Sequence, residues 1–117
     1  MSLKVDMASV GTTLVVRLKG ELDHHTSEQL KQKLEREIAG GGVENLVLSL
    51  KELTFMDSSG LGVILGRYKQ ISGRGGKMVV CDVAPSVHRL FDMSGLFKIL
   101  QLEQNESDAL LSLGVVS

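Results

Sequence analysis

Two serine hydroxyls follow an aspartate in the segment Phe55-Met56-Asp57-Ser58-Ser59-Gly60-Leu61-Gly62-Val63-Ile64-Leu65-Gly66, where a helix is expected to begin. The free amides and the dipole of a helix N-terminus favour negative charge, so a phosphate on Ser58 can be accommodated there without unfolding the domain. It would bring about -1.5 to -2 charges beside Asp57 and would repel or sterically exclude a partner docked at this corner. The plainer role for Asp57, Ser58 or Ser59 is to cap the helix, and the residues alone leave both roles open.

The glycines bear on that choice. Leu61, Ile64, Leu65, Tyr68 and Ile71 recur at helical intervals and are expected to face the core. A wheel drawn on that stripe turns Ser59, Gly62 and Gly66 toward solvent, with Val63 beside them as an exposed apolar contact. A glycine inside a helix costs roughly 0.5 to 1 kcal/mol relative to alanine, so two on an exposed face suggest stability given up for close approach of another surface. Gly60, Gly62, Val63 and Gly66 are therefore the candidate approach surface. The alternative is that these glycines are merely tolerated on a helix held by its buried side.

Other chemistries fit poorly. Ser58, Asp82 and His88 follow the chain order of one group of serine hydrolases, but the nucleophile elbow needs glycine two residues before the serine, where this chain has Met56. His24 and His25 are adjacent and point apart, and Cys81 has no companion at ligand spacing, so no metal is expected. Gly73-Arg74-Gly75-Gly76-Lys77 lacks the glycine and the hydroxyl of a phosphate loop, because Ile71 and Met78 occupy those positions. The chain reads as a binding module and not an enzyme, with no cofactor of its own.

The elements that position Ser58 follow from the hydrophobic pattern. Leu3, Val5 and Met7, then Leu14, Val16 and Leu18, alternate with polar neighbours as half-buried strands do, and Gly11 between them predicts a hairpin. Thr26, with Gln29 completing a capping box, predicts a helix start, and Leu30, Leu34 and Ile38 give that helix one face before Gly40, Gly41 and Gly42 stop it. Residues 43–50 become apolar on both faces, as a central strand does. A second helix is expected from about Ser59 to Ser72, a strand from Lys77 to Asp82, and a third helix from Pro85 that carries Val87, Leu90 and Phe91 and closes at Gly95. A short strand near Lys98 to Leu100 and a last helix from about Asn105 to Leu113 complete the order. The fold class is α/β: a single domain over residues 1–117, with four or five strands in a mixed sheet, the later ones parallel, packed with about four helices.

Composition bounds the function. Hydrophobic residues make up 43% and charged residues 23% of the 117, the balance of an ordinary globular domain. A formal charge of -1 offers no field for nucleic acid, and with Trp absent the chain is poor in stacking platforms. No apolar stretch reaches the roughly 20 residues of a membrane span, and no basic start with a long apolar run marks export. The expected location is the cytoplasm, without membrane contact.

Three blocks carry a resemblance. Gly20-Glu21-Leu22-Asp23-His24-His25-Thr26, Phe55 through Ile71, and Arg89 through Lys98 together resemble the STAS domains of bacterial anti-anti-sigma factors, most closely the branch in spore-forming bacteria that antagonises the anti-sigma-F factor. The resemblance covers essentially the whole chain. It implies a STAS fold and a partner switch in which the unphosphorylated form binds an anti-sigma factor that is also a serine kinase, freeing sporulation sigma factor F. The kinase carries the ATP and phosphorylates the serine matching Ser58, which ends the association, and a serine phosphatase restores the binding form. Ser59 is left as a cap or neighbour. Asp23 falls near the phosphoacceptor, where it can meet a basic group of the kinase, its alternative being an aspartate that only starts a helix. The free protein is expected to be a monomer.

Overall fold

Alternating apolar and polar residues open the chain, and in the computed structural model, which describes residues 2–115, they form an antiparallel hairpin. β1 (Leu3–Val10) and β2 (Thr13–Leu22) pair from Leu3 opposite Gly20 to Val10 opposite Thr13. α1 (His24–Ala39) then crosses to β3 (Asn45–Met56), and α2 (Ser58–Ser72) to β4 (Met78–Cys81). α3 (Pro85–Ser94) and a 3-10 turn (Leu96–Lys98) lead to β5 (Gln101–Glu103), and α4 (Glu106–Ser112) follows. The five strands lie in the order β1-β2-β3-β4-β5, antiparallel in the hairpin and parallel from β2 onward. This is the mixed sheet with four helices that the pattern predicts.

The period-two alternation sorts side chains to two faces. Leu14, Val16 and Leu18 of β2, Leu46, Leu48 and Leu50 of β3, and Met78 and Val80 of β4 meet α1, α2 and α3 through Leu30, Leu34, Ile38, Ile64, Ile71, Val87 and Phe91. Burying each of these larger side chains is worth about 1.5 to 3 kcal/mol, which fixes the helices on this face. On the opposite face Val15, Val47, Val79 and Cys81 are covered by α4 through Ala109, with Leu110 and Leu113 at the margin. Arg17 clamps α4 to the sheet: its Nε and Nη2 donate to the Glu106 carboxylate at 2.9 and 2.7 Å, and its Nη1 donates to Asp6 at 2.8 Å. Those bonds hold the Glu106 carboxyl below its usual range.

Three boundaries differ from the expected ones. β3 runs to Met56, well past residue 50, because β2 continues beside it to Leu22 and supplies hydrogen-bond partners. The N-cap of α1 lies three residues before the expected one. Asp23 is the N-cap, and Thr26 is its capping-box partner, with the Asp23 amide donating to Thr26 Oγ1 at 2.9 Å. The segment expected as a strand near Lys98 to Leu100 is a tight turn instead. Gly95 takes a left-handed φ of +77°, Lys98 and Ile99 bond back to Gly95 and Leu96, and the strand forms only at Gln101.

Candidate functional site

The site is built where two parallel strands end at the same level. Leu22 of β2 and Met56 of β3 are register partners, and each is followed at once by an aspartate and a helix. The Asp57 amide donates to the Leu22 carbonyl at 3.2 Å, tying the start of α2 to the start of α1. Both aspartates have extended backbones, as N-caps do.

Asp57 caps α2, its Oδ1 accepting from the Ser59 amide at 2.9 Å. Capping is thereby assigned to Asp57, and neither serine is needed for it. Ser58 is the first residue of α2 and is exposed, while Ser59 is half-buried. An oxygen on Ser58 thus stands in water at the positive end of a helix of 15 residues, free to carry an anion.

Asp23 caps α1 from a buried position. Its Oδ1 accepts from the His25 and Thr26 amides at 2.9 and 3.0 Å. The Thr26 amide bond, helped by that of His25, holds the carboxyl below the usual range against the opposing effect of burial. Its other oxygen, Oδ2, is buried with no hydrogen-bond partner, as is Ser27 Oγ on the next turn. Both atoms are shut away from solvent, so each carries the cost of an unsatisfied buried polar group.

Gly62 and Gly66 face open space, and a methyl group on either would meet nothing within 4 Å. They line a groove of about 680 Å3 between α1 and α2, together with His24, Ser27, Glu28, Lys31, Ser59, Val63 and Arg67. The sequence reading of these two as approach positions fits this geometry.

Two neighbours are corrected. Val63 is not an exposed contact, because only 7% of it is accessible and it belongs to the main core. Gly60 is not an approach position either. It is buried, and a Cβ there would sit 2.6 Å from Met56 Cγ and 2.9 Å from Leu22 Cδ2, so the close packing of α2 on the strand ends requires glycine. The cause is common to both. α2 packs on the sheet and on α1 at once, so its buried residues are Gly60, Val63, Ile64, Arg67 and Ile71, while Leu61, Leu65 and Tyr68 are half-buried.

Arg67 and Ser27 are the site residues that sequence reasoning missed. Arg67 is buried beneath the groove, donating to Gln70 Oε1 at 3.0 Å and to the Lys31 carbonyl at 3.5 Å, and burial lowers its guanidinium's proton affinity. An arginine looks like a solvated residue in a sequence, and nothing in the spacing marks this one. Ser27 stands one turn after Asp23, and that spacing could have placed the pair on one face.

Among the described residues no group of three or more His, Cys, Asp or Glu is arranged to hold a metal ion, and no helix is long and apolar enough to cross a membrane. His88 lies 3.3 Å from Asp92 on its own helix, Ser49 donates to Asp82 at 3.4 Å, and no hydrogen bond joins either His88 or Asp82 to Ser58 among the described residues.

The model of the STAS domain family matches residues 4–109. The chain belongs to the STAS domain family. This STAS chain is 57% identical over 117 residues to the anti-sigma F factor antagonist of Paenibacillus polymyxa, with 100% of both chains covered. Its fold is similar to the solved anti-sigma factor antagonist SpoIIAA in its unphosphorylated form, at a TM-score of 0.73 and 28% identity, covering 95% of this chain and 96% of that one. The Bacillus cell fate determinant SpoIIAA in the phosphorylated form gives the same TM-score, 0.73, at 33% identity over 93% of this STAS domain and 96% of that chain.

Proposed function

We propose that this STAS domain is an anti-sigma factor antagonist whose docking is gated by a phosphate on Ser58. The observation that carries the reading is the division of labour at the start of α2: Asp57 takes the capping bond, and Ser58 keeps an exposed hydroxyl at the helix N-terminus. Full-length identity of 57% to an anti-sigma F factor antagonist supports the assignment, and a solved phosphorylated form of SpoIIAA supports the gate.

The unphosphorylated form binds an anti-sigma factor that is also a serine kinase, and sporulation sigma factor F is released. Gly62 and Gly66 let the partner's backbone come close, and Asp23, the N-cap of α1 beside this corner, places a negative charge where a basic group of the kinase can meet it. In the gating step Ser58 Oγ attacks the γ-phosphorus of ATP held by the kinase. The new O–P bond forms as the bond to ADP breaks, and the serine proton passes to a base on the kinase. The product carries about -1.5 to -2 charges next to the Asp57 carboxylate, so a partner surface matched to an acidic corner now meets excess negative charge and bulk. The helix amides and dipole stabilise the phosphate, and the fold survives the modification. A serine phosphatase resets the module. This chain catalyses nothing itself, holds no cofactor, contacts neither nucleic acid nor membrane, and works in the cytoplasm.

The test is incubation with the anti-sigma factor kinase and ATP, followed by mapping of the modified residue by mass spectrometry. One phosphate on Ser58 and loss of the complex are expected. Modification only at Ser59, or a complex indifferent to the phosphate, would refute the gate.

A further inference from the structure

We propose that a second copy of this chain pairs on the free edge of β1, antiparallel and about a two-fold axis at Val5. Among the described residues β1 pairs only with β2, so eight residues of strand, Leu3–Val10, present an open edge, whereas β5 at the other side of the sheet offers three.

The hairpin decides which backbone groups face outward. Gly11 has φ +60° and lies with Thr12 between the partners Val10 and Thr13, as in a two-residue hairpin whose flanking residues exchange hydrogen bonds. Hydrogen-bonded pairs alternate along the ladder, so Ala8, Asp6 and Lys4 also bond to β2. The Glu21 amide donating to the Ser2 carbonyl at 3.0 Å continues the same series. The N–H and C=O groups of Leu3, Val5 and Met7 therefore point away from β2, into solvent.

A second strand must then place odd residues opposite odd ones, and charge selects among these registers. Centring on Val5 sets Lys4 against the second copy's Asp6, and Asp6 against its Lys4. Shifting the centre to Lys4 or to Asp6 instead opposes like charges, lysine to lysine or aspartate to aspartate. Two further features favour the Val5 register. Within one chain Lys4 faces Lys19 across the β1–β2 ladder, an unfavourable pair of like charges. Arg17 is shared by the carboxylates of Asp6 and Glu106, while Lys51 also acts on Glu106, so Asp6 holds only one arm of a divided guanidinium. Lys4 of the second copy gives Asp6 a cation of its own. On the other face Leu3, Val5 and Met7 are only half-buried, and Leu3 and Val5 border a groove toward Gln29 and Lys33 of α1. In the Val5 register Leu3 meets Met7 and Val5 meets Val5, extending that apolar row across the axis.

About six backbone hydrogen bonds over a five-residue overlap make a weak, reversible dimer, where the sequence reading expects a monomer. Sedimentation equilibrium of the full chain up to about 1 mM tests it. The wild type is expected to approach twice the monomer mass with rising concentration. Lys4→Asp and Asp6→Lys each create like-charge pairs and should stay monomeric alone, while their equimolar mixture restores complementary pairs and should dimerise. Val5→Pro removes an outward amide without touching the β1–β2 ladder and should also stay monomeric. A wild type that remains monomeric throughout overturns the proposal, as does a charge-reversed variant that associates like wild type, a mixture that stays monomeric, or a dimer that survives Val5→Pro.

Discussion

Gly60 sits against Met56 so closely that a methyl group on its α-carbon would lie 2.6 Å from Met56 Cγ and 2.8 Å from its sulfur. One turn of α2 thus contains glycines of opposite kinds, since Gly62 faces open space. Gly60→Ala forces overpacking and is expected to cost about 1 to 3 kcal/mol, seen as a clear drop in melting temperature. Gly62→Ala should leave stability unchanged or raise it by up to about 1 kcal/mol. Gly62→Leu should keep its melting temperature close to wild type while weakening the complex with the anti-sigma factor, measured by calorimetry.

Ser58→Ala removes the acceptor oxygen and no capping bond, so the variant should fold with wild-type stability and bind the kinase without being modified. Ser58→Asp places a permanent charge on the corner and is expected to bind on the order of tenfold more weakly, about 1.4 kcal/mol. Equal affinities of the two variants in the same titration would argue against charge as the gate.

Asp23 and Glu106 both have carboxyl groups held below their ordinary ranges, Asp23 by helix amides and Glu106 by Arg17. A group whose folded value is depressed contributes stability that is complete above the unfolded value, and this is lost as pH falls through the folded one. Chemical denaturation should therefore give flat stability down to about pH 4.5 and a decline below it. Asp23→Asn retains a capping oxygen but does not titrate, so it should make the acid decline shallower.

Cys81 is the only cysteine, fully buried beneath α4, and burial, reinforced by Asp82, pushes its thiol up to about 12. A closed α4 keeps it protonated and out of reach, so the rate of thiol labelling reports how often α4 lifts. Arg17→Ala breaks the clamp, whose side chains are 43% and 30% accessible, and solvent screening limits the loss to about 1 kcal/mol. Labelling of Cys81 should speed up about fivefold. An unchanged rate would mean that apolar contact alone holds the helix.

The fold was legible wherever one period dominated. Alternation along Leu14, Val16 and Leu18 and the helical recurrence of Leu30, Leu34 and Ile38 each have one buried side, and the structure has both. Reading failed where two neighbours compete for one element. α2 touches the sheet and α1, so a single stripe through Leu61 and Leu65 missed the burial of Val63 and Arg67. At α1 both Asp23 with Thr26 and Thr26 with Gln29 have capping-box spacing. What decides is that β2 ends at Leu22, a tertiary fact set by its pairing with Met56. At the site, Ser58, Asp57 and the two open glycines were readable from local chemistry, whereas the buried, unsatisfied oxygens of Asp23 and Ser27 come into being only with the tertiary packing around α1.

The amide of Asp57 is fastened to the carbonyl of Leu22, so the two helix starts beside Ser58 have no slack between them. Charge arriving there would meet a corner pinned by that bond. The molecule would then present the same silhouette in both conditions, and whatever consults it must tell them apart by touch, as a lock reads one cut on a key whose blank never changes.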